Sequence, residues 1–222
     1  MALEAILFDM DGVIVDTEPL HRKAYFSMFK EMGLEVSDEL YATFAGATTH
    51  QVCSTLIDLF QMKTPIEAMF LSKRKHFKTL FYEDAEFDLI EGVQALIQHY
   101  FDHDIPMILA SSASHTTIDM VFDKFNLSPF FKAKISGEEL KASKPHPEIF
   151  ERAAALANAD KKRCMVIEDS TNGIMAAHQA GIFCAAYQGK NTLNQDYSLA
   201  DILVDDYAQL RVEVLEKHFK NR

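Results

Sequence analysis

The feature that most restricts what this chain can fold into is a rhythm of strand-length apolar runs, each followed by a turn or helix signal. The runs are Ala5-Ile6-Leu7-Phe8, Met107-Ile108-Leu109-Ala110, Ala133-Lys134-Ile135-Ser136, Cys164-Met165-Val166-Ile167 and Ile182-Phe183-Cys184-Ala185-Ala186, with Ile202-Leu203-Val204 as a weaker sixth. The first, second and fourth show no apolar–polar alternation, as expected of parallel strands covered on both faces. Apolar residues at three- and four-residue spacing predict helices over 92–101 and 115–125. Pro147 reads as the first-turn proline of a helix reaching about 157, and 172–180 as a helix ended by Gly181. Strands alternating with helices predict right-handed crossovers and an α/β fold on a doubly wound parallel sheet.

One stretch breaks the rhythm. Between 19 and 82 nothing reads as a strand, and helical patterns cover about 19–32, 38–45, 49–60 and 65–82. The expected organisation is a core of 1–17 and 86–222, with an all-helical cap of 18–85 inserted after the first strand.

Composition narrows the function classes. No apolar run approaches the roughly 20 residues that span a bilayer. The N-terminal residues lack a basic stretch and a small-residue cleavage pattern, so a cytoplasmic location is expected. Cys53, Cys164 and Cys184 form no CxxC pair, which argues against a thiolate metal site. The net charge of −11 disfavours nucleic acid and anionic membranes as partners. A monomer acting on a small molecule is the expectation. An anionic substrate would require a local reversal of the field, by a metal ion or a placed lysine.

In open α/β sheets ligands bind beyond the carboxyl ends of the strands. Here those ends carry Asp9-Met10-Asp11-Gly12, Ser111-Ser112, Glu168-Asp169-Ser170 and, after the third strand, Lys144. Read singly, the serines would be helix caps and Lys144 a surface residue. Together they form a set suited to phosphoryl transfer. A carboxylate such as Asp9 can attack phosphorus and split one displacement into two. Mg²⁺ suits such an oxygen-donor site, with Asp9 and Asp169 as side-chain ligands and a backbone carbonyl near Asp11. Gly12 ends the strand, leaving Asp11 to act as general acid and then base. Lys144 would neutralise phosphate charge and Ser111 would donate to a phosphoryl oxygen.

These motifs resemble the haloacid dehalogenase superfamily of phosphohydrolases, and its β-phosphoglucomutase-like branch in particular. Residues 9–18 are similar to its first motif, Leu109-Ala110-Ser111-Ser112 to the second, Ser143-Lys144-Pro145-x-Pro147 to the third, and Ile167-Glu168-Asp169-Ser170 with Gly173 to the fourth. The resemblance implies a Rossmann-like core with a helical cap. It implies Asp9 as nucleophile, Asp11 as acid/base and donor of a main-chain carbonyl to Mg²⁺, and Asp169 as a ligand with Glu168 beside it in the metal set. An aspartate at position 11 argues against halide removal.

Thr17, His21, Gly46 and Lys75 fall where the resemblance puts cap or hinge residues that gate Asp11 and contact substrate, and Ser112 joins the substrate-binding set. His21 also reads as a structural histidine, and Lys73-Arg74-Lys75 as a solvated helix face. The cap loop of the mutases usually reads G-x-S-R, whereas this chain has Gly46-Ala47-Thr48-Thr49. A mutase must hold two phosphates, and threonine cannot replace a bidentate guanidinium. The expected function is a Mg²⁺-dependent phosphatase of a small sugar phosphate or similar metabolite, with a phosphosugar mutase as the alternative.

Overall fold

The structure, a computed structural model, describes residues 3–44, 47–189 and 194–219. By internal contacts the chain divides at Asp16/Thr17 and Phe87/Asp88 into a core unit and a helical unit.

The core unit holds a six-stranded, all-parallel sheet. Its strands are β1 (Ala5–Phe8), β2 (Met107–Ser111), β3 (Phe131–Ser136), β4 (Cys164–Glu168), β5 (Phe183–Tyr187) and β6 (Ile202–Val204), in spatial order β3-β2-β1-β4-β5-β6. Strands β1, β2, β4 and β5 are buried at every position, which explains their unbroken apolar runs. Strand β3 lies at the edge and alternates over its first four residues. It starts at Phe131, two residues before the apolar run, because Phe131 packs edge-on to Phe8 and Phe122.

The chain order reverses direction at β1, whose neighbours are β2 and β4. Such a topological switch opens a crevice at the carboxyl ends of the strands. In register, Phe8 faces Leu109 on one side and Ile167 on the other. The next residue, Asp9, therefore emerges level with Ala110 and Glu168, and its N–H donates to Ile167 O at 3.0 Å.

Helices α1 (Glu18–Glu31), α2 (Asp38–Ala42), α3 (Thr49–Phe60) and α4 (Ile66–Glu83) make up the helical unit. Tyr25, Met28, Phe29, Val52, Cys53, Leu56 and Met69 form its apolar centre. Thr48 starts α3 with a reciprocal capping box to Gln51. Phe77, Phe81 and Phe87 are buried, whereas Phe70 is exposed.

The remaining helices are α5 (Val93–Asp102), α6 (His115–Lys124), α7 (Glu148–Ala157), α8 (Thr171–Ala180) and α9 (Val212–Phe219). One sheet face packs Ala5, Leu7 and Val166 against Ile149, Ala153, Ala176 and Ala180 of α7 and α8. Small residues on both helices let the backbones approach the sheet closely. Pro147 caps α7 rather than opening its first turn, a one-residue difference of the kind expected at helix ends. The cap of α6 is Ser114, which accepts from Thr117 N at 3.2 Å; Ser111 and Ser112 are not its caps. Helix α9 has no counterpart among the sequence-predicted elements. It docks through long-range bonds: Val212 N–H donates to His99 Nε2 at 3.2 Å, and the Tyr100 hydroxyl donates to Leu210 O at 2.5 Å just before it. Among the described residues no helix is long and apolar enough to cross a membrane.

Ile108 lies on β2, fully buried between neighbours on both sides. Ile108→Ala is expected to lower the unfolding free energy by about 2–5 kcal/mol through lost burial and a residual cavity. Urea denaturation checks this; a loss below about 1 kcal/mol would mean the core relaxes into the gap.

Candidate active site

The site grows from four chain segments that leave the sheet on its carboxyl edge. After β1 the backbone turns sharply: Met10 O accepts from Val13, Ile14 and Val15, and Gly12 adopts φ +80°. Only glycine takes this conformation without strain, and the space is also closed. A Cβ at Gly12 would sit 2.0 Å from Asp169 Oδ2. Asp9 on this turn is 6% exposed.

Lys144 reaches the same point from the loop before α7. Its ammonium donates to Asp9 Oδ1 at 2.5 Å, to Glu168 Oε1 at 2.7 Å and to Ala110 O at 3.2 Å. All three donors of the ammonium are thereby used. Nζ also lies 4.9 Å from the Phe150 ring centroid. Burial works against its charge, but Asp9 and Glu168 more than reverse this and hold its pKa above the usual lysine value.

Glu168 ends β4 at 1% exposure. Its second oxygen, Oε2, accepts from Asp169 N, Ser170 N and Ser170 Oγ at 2.8, 2.8 and 2.9 Å. Ser170 in turn caps α8 by accepting from Gly173 N at 3.1 Å. Asp169 and Asp9 are pushed above the ordinary carboxylate range. For both, burial is the largest cause; Glu168 and Asp11 add to it and Lys144 opposes it, and Asp9 also raises Asp169. The gathering is oxygen-rich, with more negative than positive charge, which is the donor chemistry of a hard divalent cation.

The helical unit has a cavity of its own, about 420 Å³, within the range of small-molecule pockets. Lys73 and His21 line it together with Glu18, Tyr25, Tyr41 and Thr49. Lys73 is buried, and burial lowers its pKa to about 8 despite nearby Glu18. Burial and the Lys73 charge push His21 down to about 4. His21 is therefore neutral at pH 7, and its Nδ1 accepts from Lys73 Nζ at 2.8 Å. The imidazole stacks on Phe77 with 4.4 Å between centroids. Tyr25 OH donates to Thr49 Oγ1 at 3.1 Å.

The family model described as haloacid dehalogenase-like hydrolase matches residues 6–187. The chain belongs to that family. It is 32% identical over 185 residues to an uncharacterised protein of Haemophilus influenzae, covering 81% of this chain and 88% of that one. It is 28% identical over 184 residues to a phosphorylated carbohydrates phosphatase of Thermotoga maritima, covering 81% and 82%. The structure of a putative β-phosphoglucomutase from Thermotoga maritima is similar with a TM-score of 0.85 at 26% identity, over 96% of this chain and 99% of that one. The parallel sheet with its covering helices is the Rossmann-like fold of these hydrolases.

Of the residues singled out in the sequence, Asp9, Lys144 and Glu168 meet directly, and Asp11 and Asp169 lie close enough to shift the Asp9 equilibrium or be shifted by it. Glu168 lies beside Asp169 in this gathering; its Oε2 accepts three hydrogen bonds, while Oε1 accepts one, from Lys144. Ser111 is buried at the end of β2 and its Oγ accepts from Ala113 N at 3.1 Å, while Ser112 is exposed. Thr17 is buried at the start of α1 without a side-chain capping bond. Gly46 lies outside the described residues. Lys75 is exposed and does not line the helical cavity. Two residues along a helix turn a side chain about 200°, so the residue facing the cavity is Lys73. The apolar spacing of α4 held that signal, since Met69, Lys73, Phe77 and Phe81 share one face.

Gly173 gives a test of the Glu168 anchor. A Cβ there would lie 1.6 Å from Glu168 Oε1. Within a helix Gly→Ala ordinarily stabilises by about 1 kcal/mol. Gly173→Ala is expected to do the reverse, lowering stability by about 1–3 kcal/mol as the Glu168–Lys144 pair is displaced. Thermal unfolding decides the sign.

Proposed function

We propose that this chain is a Mg²⁺-dependent phosphatase that releases phosphate from a small phosphorylated metabolite, a sugar monophosphate in class, through an aspartyl phosphate on Asp9. The observation that carries this reading is the buried Lys144 ammonium held between Asp9 and Glu168 at the switch point of the sheet. Membership of a hydrolase family and similarity to a phosphorylated carbohydrates phosphatase support it.

Lys144 steadies Asp9 through Oδ1, and the Asp9 carboxylate attacks phosphorus. The bond from phosphorus to the leaving oxygen breaks, and Asp11 gives that oxygen its proton. In the second half Asp11 takes a proton from water, the water oxygen attacks phosphorus, and the acyl phosphate bond breaks to restore Asp9. Lys144 faces the phosphoryl group throughout. Its longest bond, 3.2 Å to Ala110 O, is the one to exchange for a phosphoryl oxygen. Glu168 keeps Lys144 charged and in place. Asp9, Asp169 and the Asp11 carbonyl would hold Mg²⁺, which supplies charge neutralisation between an anionic nucleophile and an anionic substrate.

Selection of the alcohol falls to the helical unit. The described part of its cavity offers hydroxyls, aromatic rings and the cation Lys73, but no arginine. That composition suits one neutral polyhydroxylated group better than a second phosphate. The mutase reading rests on the similarity to a putative β-phosphoglucomutase. Against it stands Thr49, whose Oγ1 is bonded to Tyr25, at the position of the phosphate-gripping arginine.

A phosphate-release screen over sugar phosphates, with product identification, separates the two. Release from a preferred monoester, abolished by chelator and restored by Mg²⁺, is expected. Interconversion of a hexose 1-phosphate and 6-phosphate without net release would replace the phosphatase by the mutase. Asp9→Asn is expected to lower kcat by at least ~10³-fold, and no phosphoenzyme should be trapped; near-normal turnover would rule out the covalent route. Lys73 keeps its charge below about pH 8 and loses it above. KM is therefore expected to rise between about pH 7 and 9, and Lys73→Met to raise KM by about 10-fold at pH 7 and flatten the profile. A wild-type KM that is flat across this range would remove Lys73 from substrate binding.

A further inference from the structure

Tyr207 stands 196 positions after Asp11 in the sequence, yet its hydroxyl ends inside the turn that carries Asp11. That turn is knotted on one carbonyl. Met10 O accepts from Val13 at 3.3 Å, Ile14 at 2.7 Å and Val15 at 3.1 Å, while Gly12 N donates to Val15 O at 2.7 Å. The Val13 carbonyl is left to a long-range partner, and the Tyr207 hydroxyl donates to it. Met10, Val13 and Ile14 are fully buried and Tyr207 is 2% exposed, so water does not replace that bond. The bond from Ile90 N to Ile14 O at 2.9 Å anchors the far end of the turn, and that from Asp9 N to Ile167 O at 3.0 Å its start.

The phenol is itself held firmly. Tyr187, the last residue of β5, stacks on it with 4.3 Å between centroids and 8° between planes. On another side Gly92 approaches closely, and a Cβ built there would lie 3.6 Å from Tyr207 side-chain atoms. Burial, with smaller contributions from Tyr187, Asp169 and Asp9, keeps the phenol protonated. Packing alone would need only the ring, which phenylalanine supplies equally; the hydroxyl serves the Val13 carbonyl.

We propose that Tyr207 is a positioning residue for Asp11: its hydroxyl sets the conformation of the 9–15 turn, so that Asp11 presents its carboxyl group to the leaving-group oxygen. This rests on the acid/base role given to Asp11 above. A positional error at Asp11 affects proton delivery and not substrate binding. In phosphoryl transfer to Asp9 its cost therefore grows with the basicity of the leaving group, whereas in hydrolysis of the acyl phosphate it is the same for every ester.

The test compares Tyr207→Phe with the unaltered protein and with Asp11→Asn, on p-nitrophenyl phosphate and on the preferred sugar phosphate. Nitrophenolate departs without a proton; a sugar alkoxide does not. For Tyr207→Phe, kcat/KM, which reports phosphoryl transfer to Asp9 and not hydrolysis of the shared acyl phosphate, is expected to fall about 10-fold on the sugar phosphate and less than about 2-fold on the aryl ester. Tyr187→Leu, which keeps the hydroxyl and removes the stacking partner, is expected to lower the thermal midpoint without altering the ratio between the two esters. Equal losses of kcat/KM on both esters, or none, in Tyr207→Phe while Asp11→Asn does discriminate in kcat/KM would overturn the positioning role alone. An Asp11→Asn that fails to discriminate would overturn the acid/base reading and this inference with it.

Discussion

The rest of the site depends on the ammonium of Lys144. Taking it from water costs several kcal/mol, and the offset comes from a complete set of acceptors: two carboxylates and one backbone carbonyl. At an effective dielectric near 20, each such ion pair is worth on the order of 4 kcal/mol before desolvation. The arrangement also leaves an imbalance. Asp9, Asp11, Glu168 and Asp169 carry four negative charges when ionised against the single positive charge of Lys144. Burial raises the pKa values of Asp9 and Asp169 most, and that excess adds to the rise. A divalent cation fits this excess, whereas a second lysine would compete for the same acceptors.

The sheet order is what brings these groups together. Because β1 lies between β2 and β4, residues more than 150 positions apart emerge side by side. Two glycines then permit the closeness. Gly12 leaves room for Asp169, and Gly173 leaves room for Glu168. Glu168 serves the fold and the chemistry with one carboxylate. Oε1 steadies Lys144, and Oε2 holds the turn that leads into α8. Removing it would disturb both.

The helical unit uses the same device with neutral partners. Lys73 is buried against a histidine and the rings of Tyr25 and Phe77 and, among the described residues, not against a bonded carboxylate. Its charge is accordingly held loosely, with a pKa lowered to about 8, whereas that of Lys144 is raised. Two buried lysines thus differ in the direction of their shifts, because one is embedded in carboxylates and the other in rings. The first suits permanent neutralisation of a phosphoryl group, and the second suits hydrogen bonding to a neutral or transient ligand.

Much of this was legible in the residues. Unbroken apolar runs such as 164–167 announced buried parallel strands, and the helical stretch after residue 18 marked an insertion. Chemistry at successive strand ends put Asp9, Asp11, Lys144 and Asp169 in the candidate site, because local sequence determines where a strand stops and which residues come next. Position along a strand or helix is a short-range property. The partner that a side chain meets across space is not. That Glu168 joins Lys144 to the 169–170 backbone, that Lys73 and not Lys75 lines the cavity, and that Tyr207 completes the turn at Val13 all depend on tertiary contacts. Those contacts join residues 24 to 194 positions apart, for Glu168–Lys144, His21–Lys73 and Tyr207–Val13. Such pairings are chosen by the packed three-dimensional structure, where burial removes water and makes each remaining partner obligatory. The sequence by itself determined the elements and the chemical alphabet of the site; only the tertiary structure decided which letters touch.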